Sequence, residues 1–497
     1  MSKFFNLCSC EFTKIMKKKS SKVMLIILIV SIFAAAGLSV LTKKMYSLTS
    51  EFIESDSYEN NVKAELESFK TVLNTNKDIL DEVSKNELQA KIDTYQFAVD
   101  NNINLYKAYW KSDVLSTDVY DSKISYYNYK SIGDEEAASK EQSYIDQKLE
   151  LIKNDNYSEY MKLKKDILKQ NLDAKLIEQD TYDLNMRYVE LREKYEIGKE
   201  YNADTTWKES IVEEMELLEG SIRAGADLMT GKAFSDKELK KAKDTLKIDE
   251  YRLEHNMTPY MTDSSVGNTR KIFDYMVGSI TMMVLAVMMI IIAGGSISTE
   301  IAKGTIKFWS FTPNKRWKIL LSKLVVSVVI LVITTVGITL LSTLIGNLFF
   351  GSGNAQGYLY VSGGEVHVIN YIVYAILYNL IGAIDILIFL LFAMMLSTVA
   401  RNTAVAVGVS IAAYFGGSTI MQLVNMFVKS DWIKFIPFNN LSLTDRIFTN
   451  DVSYSASTMI SNITGNISVG FSVAVLGVCA VLMIITMFDS FRKRDII

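Results

Sequence analysis

Residues 324–350 read LVVSVVILVITTVGITLLSTLIGNLFF, running from Leu324 to Phe350, 27 positions without a formal charge. A helix crosses the hydrocarbon core of a bilayer with roughly 20 apolar residues, so this stretch spans with length to spare and takes up the excess by tilting. Five further runs share its character: Val23–Leu41, Tyr275–Ile297, Tyr371–Leu396, Ala404–Val428 and Ile467–Phe488, of 19, 23, 26, 25 and 22 residues. Across all six, the only formally charged residue is Asp385, fifteenth in its run of 26. A charge at that depth costs at least ~2.5–3.5 kcal/mol on insertion scales. Asp385 therefore faces protein or water, or carries a proton. It is either an element of a transport path or a hydrogen-bonding partner of a neighbouring helix, for which Asn379, Gln422 and Asn425 are candidates.

The whole chain has 497 residues, of which 49% are hydrophobic and 22% charged, with only 3 Pro. That combination requires segregation into a membrane part and a polar part. A net charge of −3, from 53 Lys+Arg and 56 Asp+Glu, gives no basis for nucleic-acid binding. Three Cys exclude a disulfide scaffold, and two His leave little for imidazole catalysis or a His-rich metal centre. Cys8-x-Cys10 is a metal or acylation motif at most, and two reduced thiols otherwise. There is no G-x-x-x-x-G-K-[ST] phosphate loop, no H-E-x-x-H, no Cys-x-x-Cys and no G-x-S-x-G. The expectation is no catalytic residue, no metal and no cofactor on this chain. Anything it moves uphill takes energy from a partner or an ion gradient, and Asp385 alone speaks for the gradient.

Orientation follows from the basic residues near the span ends. Sixteen Lys and Arg lie on one side: six before the first span, six in Ser298–Lys323, Arg401, and Arg492, Lys493 and Arg494. The loops 351–370 and 429–466 hold three, Lys429, Lys434 and Arg446. Both termini are therefore expected in the cytoplasm, in the cell membrane. At 19 residues, the first run is longer than the 7–15-residue core of a cleaved signal and is expected to remain as a span.

Residues 42–271 then lie outside. This segment of 230 residues carries 34 Lys+Arg against 46 Asp+Glu, and no Pro precedes Pro259. Its composition is helical, with apolar stripes at Val62, Leu66, Phe69 and Leu73 and at Trp207, Ile211, Met215 and Leu218. Breaks are expected near Asn74–Asn76, Ser131–Gly133, Asn154–Asn156, Asn202–Asp204 and Gly231–Ser235, with one long helix over Ser158–Glu200. The tyrosines, among them Tyr106, Tyr109, Tyr120, Tyr126, Tyr127 and Tyr129, read either as an interaction surface or as ordinary helix packing. The expected fold is an all-α integral membrane protein with six transmembrane helices and a large helical domain inserted between the first two. The order is an amphipathic helix (1–22), the first span (23–41), the extracytoplasmic domain (42–271), a five-helix membrane domain (272–488) with a cytoplasmic loop at 298–323, and a basic tail (489–497).

The loop after the second span reads ISTEIAKGTIKFWSFTPNKRWKILLSK over Ile297–Lys323. Within it, Ser298, Glu300, Gly304-Thr305-Ile306-Lys307, Pro313, Arg316 and Lys318-Ile319-Leu320 followed by Ser322-Lys323 resemble the ABC-2 type permease family. The tail Phe491–Ile496, the entry Glu11–Lys19 and the turn Ser397–Val407 with Arg401-Asn402 are similar to further motifs of that family. Together these cover the membrane part, a little over half the chain. The resemblance implies the permease subunit of an ATP-binding cassette exporter for an amphipathic or peptide-like substrate. It implies pairing with a second copy or a homologous permease, and docking of separate ATPase subunits that bind ATP and Mg. Glu11, Glu300, Gly304, Thr305 and Lys307 are the implied ATPase-facing residues, and Asp385 stands as a possible path residue. The rival reading is a non-pumping envelope protein resembling phage-infection or secretion-accessory membrane proteins.

Overall fold

The structure, a computed structural model, describes residues 2–54, 56–107, 109–200, 206–259, 269–305, 315–352, 355–428, 430–451 and 467–493. It divides into two compact units. One comprises Met1–Leu41, Pro259–Met261 and Asn268–Ile497, and the other Thr42–Thr258 with Thr262–Gly267.

The chain starts with α1 (Ser2–Lys17) and α2 (Lys19–Glu54), separated by an elbow at Lys18. The second unit follows with α3 (Asp56–Thr75), α4 (Glu82–Asp100), α5 (Trp110–Asp113), α6 (Tyr120–Ile132), α7 (Glu135–Lys153), α8 (Tyr157–Asp173), α9 (Gln179–Lys194), α10 (Thr206–Ala224) and α11 (Asp236–His255). Chain neighbours pack on one another, as α3 on α4, α6 on α7, α8 on α9 and α10 on α11. Side chains of Asp81, Asp134, Asn156 and Ser235 accept from the first turns of α4, α7, α8 and α11, supplying partners for otherwise orphaned N–H groups.

Two apolar clusters are formed by the described residues of this unit. One surrounds Trp110, Leu115 and Tyr160, with the Trp110 and Tyr160 rings stacked at 5.6 Å. The other contains the stripe residues Trp207, Ile211 and Met215 together with Tyr188. Of the named tyrosines, Tyr129 alone is exposed and the other five are half-buried.

The long helix expected over Ser158–Glu200 is two helices. Lys175 takes φ +57°, and Lys175 N–H and Leu176 N–H donate back to Leu172 O and Asn171 O, which closes α8 before α9 begins. A left-handed closure without Gly, Asn or Pro leaves no mark in the sequence. The expected break at Asn202–Asp204 lies outside the described residues.

The first unit continues with α12 (Thr269–Met276), a π turn (Val277–Thr281), α13 (Met282–Gly294), α14 (Ser298–Ala302) and α15 (Arg316–Phe350). Strands β1 (Tyr358–Ser362) and β2 (Glu365–Ile369) form an antiparallel hairpin around Gly363 and Gly364, which have φ +63° and +91°. A two-residue turn with both positions at positive φ matches the twist of its strands. Then come α16 (Tyr371–Val399), α17 (Thr403–Phe427), the single turns Asp431–Phe435 and Pro437–Asn440, α18 (Leu443–Ile447) and α19 (Val469–Lys493).

Six helical stretches are long and apolar enough to cross a membrane: Lys19–Met45, Thr269–Gly294, Arg316–Phe350, Tyr371–Val399, Thr403–Phe427 and Val469–Arg492. Among the described residues the fold is thus all-α apart from the hairpin, which lies in the loop 351–370, and an isolated bridge between Ala226 and Ala233. Helix α16 is central and touches α13, α15, α17, α18 and α19. The second span starts earlier than its apolar run, so Arg270 and Asp274 belong to it.

The segment 430–451 is no simple loop. It folds back along α16, and α18 packs against α16. The Phe438 ring lies where a Cβ on Gly417 would sit, 2.1 Å from its Cε1, so only glycine at 417 lets this segment rest on α17. Side chains satisfy its irregular backbone. Asn440 Nδ2 donates to Lys434 O (2.8 Å) and Ile436 O (2.9 Å), and Asn439 Nδ2 donates to Ile433 O (3.0 Å). Non-helical backbone survives beside membrane helices only when it is satisfied in this way.

Candidate functional site

In α1 the inward residues Cys8, Glu11 and Ile15 follow the helical repeat, and Lys14 and Lys17 lie in its last turn, where the helix dipole favours cations. Helix α1 packs along α15. Helix α14 is a single turn anchored at Ser298. Its N–H donates to Ser397 Oγ at 3.0 Å, its hydroxyl donates to Gly294 O at 2.7 Å, and Thr403 Oγ1 lies 2.8 Å from that hydroxyl. These bonds aim the Glu300 side chain into the unit, where it is 8% exposed.

Four charged groups from three elements meet there. Lys323 Nζ, 3% exposed near the start of α15, donates to Glu300 Oε1 at 2.8 Å and to Glu11 Oε2 at 2.9 Å. Lys14 Nζ also donates to Glu300 Oε1 and lies 3.8 Å from Glu11 Oε1. Burial pulls the Lys14 ammonium down, but Glu300 and Glu11 outweigh it and its pKa is raised. Lys18 goes the other way, lowered by burial and then by the neighbouring Lys14 and Lys323. Glu300 Oε2 is buried and has no hydrogen-bonding partner among the described residues.

After α14 the chain reverses at Gly304, φ +69°, and Thr305 Oγ1 donates to Glu300 O at 3.2 Å. Ala302, Lys303 and Thr305 are exposed, and no heavy atom of the described residues lies within 4 Å of a Cβ built on Gly304. The structure thus brings Glu11 and Glu300 together, with Gly304 and Thr305 on the adjoining turn. Lys307 lies outside the described residues. The arrangement is a joint that links α14 to α15 through Lys323 and to α1 through Lys14.

Asp385 is the middle residue of α16, and its Oδ2 accepts the Ser442 backbone N–H at 2.8 Å. None of the expected partners reaches it: Asn379 donates to Thr339 Oγ1 (3.0 Å), Asn425 pairs with Asn439 (3.0 Å), and Gln422 shows no bond to it. The true partner is the backbone of the folded-back segment, which residue type cannot announce. Asp385 Oδ1 is buried without a partner among the described residues.

A second polar constellation escaped the sequence reading. Arg270 is fully buried; its Nε donates to Asp274 Oδ1 (3.1 Å), Nη1 to Asn347 Oδ1 (2.7 Å) and Nη2 to Tyr371 OH (2.8 Å). Tyr371 OH donates to Asp274 Oδ1 at 2.8 Å, closing the ring of contacts. The signal was an Arg–Asp pair four residues apart immediately before an apolar run. Beside it lies a small polar cavity whose lining includes Thr339, Ser342, Tyr374 and Asn379. Among the described residues, no three His, Cys, Asp or Glu side chains converge as a metal site requires.

The chain is 29% identical over 302 residues to the uncharacterized protein YhcI of Bacillus subtilis (strain 168), covering 59% of this chain and 86% of that protein. It is 29% identical over 214 residues to the uncharacterized membrane protein YdbK of the same organism, covering 43% and 78%. No solved structure matches. The six apolar helices together with a relative named as a membrane protein identify a multi-pass membrane protein. The model of the family described as protein of unknown function (DUF2705) matches residues 247–497, from within α11 through all of the later spans, and the chain belongs to that family.

Proposed function

We propose that this chain is the membrane-spanning subunit of an ATP-driven exporter of the ABC-2 kind, moving an amphipathic or peptide-like substrate with energy from separate ATP-binding subunits. The observation that carries this reading is the joint at Glu300. A one-turn helix between two spans is fixed to α15 by a buried ion pair and to α1 by a half-exposed one, while its edge, Ala302, Lys303 and Thr305, is exposed. An ATPase pressing on that edge would move two membrane-associated helices at once. In this reading Glu300 and Glu11 are internal pins, and Gly304, Thr305 and Lys307 form the surface that meets the ATPase. The termini and this edge are cytoplasmic, the unit beginning at Thr42 is extracytoplasmic, and a second copy or a homologous permease completes the pore.

The test is purification of the tagged full-length chain from its own cells in mild detergent. The expected result is a stoichiometric ATP-binding subunit with ATPase activity, and loss of substrate stimulation in Gly304→Trp with assembly intact. A chain that purifies without any nucleotide-binding subunit overturns the reading and favours a non-pumping envelope role. Cysteines introduced at Lys303 and Ser158 test sidedness: an impermeant thiol reagent should label only the second in intact cells.

A further inference from the structure

A recess of about 240 Å³ lies between α1, α2, α13 and α15. Its walls are almost entirely aliphatic, among them Met16, Leu25, Ile29, Ile292, Ile333 and Leu341. The Thr334 hydroxyl in the lining is spent on its own helix, donating to Ile330 O. A buried water needs two to four polar partners, which these walls do not supply, so the space suits hydrocarbon.

Met16 and Ser21 both line the recess, so the elbow that joins α1 to α2 closes one end of it. That elbow is Lys17-Lys18-Lys19-Ser20, with Lys22 one turn further, and all four lysines are exposed. Lys18 adds a third cation beside two carboxylates already engaged with Lys14 and Lys323, so the elbow holds surplus positive charge. Helix α1 ends at Lys17 and α2 begins at Lys19, so the two helix dipoles oppose each other here and the positive charge of the elbow is that of its lysines.

We propose that this recess holds an acyl chain of an anionic membrane phospholipid whose phosphate sits on the lysine elbow. A long apolar slot ending in a cationic cap fits an amphiphile with an acidic head, and the surrounding bilayer supplies one continuously. The slot is bounded by α1 and α15, two elements of the Glu300 joint, so an occupied slot would brace them. The inference rests on the chain's being a membrane protein and stands whether or not the exporter reading does.

Gly337 lines the recess, and a Cβ on it would meet no atom of the described residues within 4 Å, so Gly337→Leu starts a side chain in open space at the slot. Gly408, equally open but away from the slot, gives the control Gly408→Leu. The full-length chain is purified from bilayers of equal phosphatidylglycerol and phosphatidylcholine, delipidated stepwise, and its retained lipid quantified by mass spectrometry. One phosphatidylglycerol per chain is expected to persist, and Gly337→Leu should lose it at least tenfold while Gly408→Leu keeps it and both variants melt normally. Lys17→Gln/Lys18→Gln/Lys19→Gln should keep a lipid but lose the preference for phosphatidylglycerol. Equal retention of the two lipids by the wild type, no effect of Gly337→Leu on retained lipid, or a free fatty acid in place of the phospholipid overturns the proposal. If Gly337→Leu fails to fold, the lysine variant decides: an unchanged headgroup preference sinks the idea.

Discussion

Lys323 Nζ donates to Glu300 Oε1 at 2.8 Å, a buried bond that ties the first part of a membrane helix to a one-turn helix 23 residues earlier. The same ammonium holds Glu11, so one cation serves carboxylates from two other elements. Removing it leaves both carboxylates to Lys14, a half-exposed cation.

Lys323→Met should therefore destabilise the chain by about 3–5 kcal/mol, the cost of taking from two carboxylates a buried cation that the half-exposed Lys14 cannot replace. Lys14→Met should cost only about 0–1 kcal/mol, because Lys14 is 45% exposed and solvent screens the loss. Unfolding of the purified full-length protein in detergent checks both, and equal effects would mean that the joint does not depend on Lys323.

Gly346 is where α15 passes the Arg270 guanidinium. A Cβ there would lie 2.5 Å from Arg270 Cζ, and the guanidinium is held by Asp274, Asn347 and Tyr371. Gly346→Ala should cost about 1–3 kcal/mol, as overpacking does. In an Arg270→Ala background the same substitution should cost much less, and a double-mutant cycle of melting midpoints measures the coupling.

Asp385→Asn keeps an oxygen for the Ser442 N–H, whereas Asp385→Leu leaves that donor unpaired, at about 1–3 kcal/mol. The Asn variant should melt near wild type and the Leu variant below it. In the Leu variant, a cysteine at Ser442 should react faster with a thiol reagent as the segment loosens. Normal folding of Asp385→Asn with transport lost would assign the carboxylate itself a role in the path.

Asp249, buried in α11 beside Arg252, gives a pH test. Burial pushes its carboxyl up to about 7, against about 3.9 in an unfolded chain. Between those values the folded protein binds more protons than the unfolded one, so this group's contribution to stability falls as pH rises from about 4 to about 7. The wild-type melting midpoint relative to that of Asp249→Asn should therefore drop over pH 5–7.5, and a constant difference would refute the assignment.

The spans were legible because an uncharged run of 20 or more residues has few other uses, and Leu324–Phe350 shows that at a glance. The helical character of the other unit was legible from its lack of Pro and from stripes such as Trp207, Ile211 and Met215, which form core. The hairpin was announced by Gly363-Gly364 between Tyr358-Leu359-Tyr360-Val361 and Val366-His367-Val368, a signal that the surrounding apolar runs overshadowed. The meeting of Glu11 with Glu300 joins residues 289 positions apart and follows from packing, which periodicity cannot reach. The grip of Ser442 on Asp385 uses a backbone N–H, a group every non-proline residue carries, so no pattern of residue types marks it.

The π turn at Val277–Thr281 bears on how this chain compares with its kin. Its i→i+5 bonding takes in one residue more than an α turn, so the faces before and after it keep their aim only with that residue present. Arg270 and Asp274 then face Tyr371 while Met288 and Met289 still reach the core. A relative lacking one position between 277 and 281 could run a plain α-helix through the same place with both faces unchanged. A single-residue gap inside this span, which would ordinarily signal a misaligned or broken helix, would here mark an insertion absorbed without rotating anything around it.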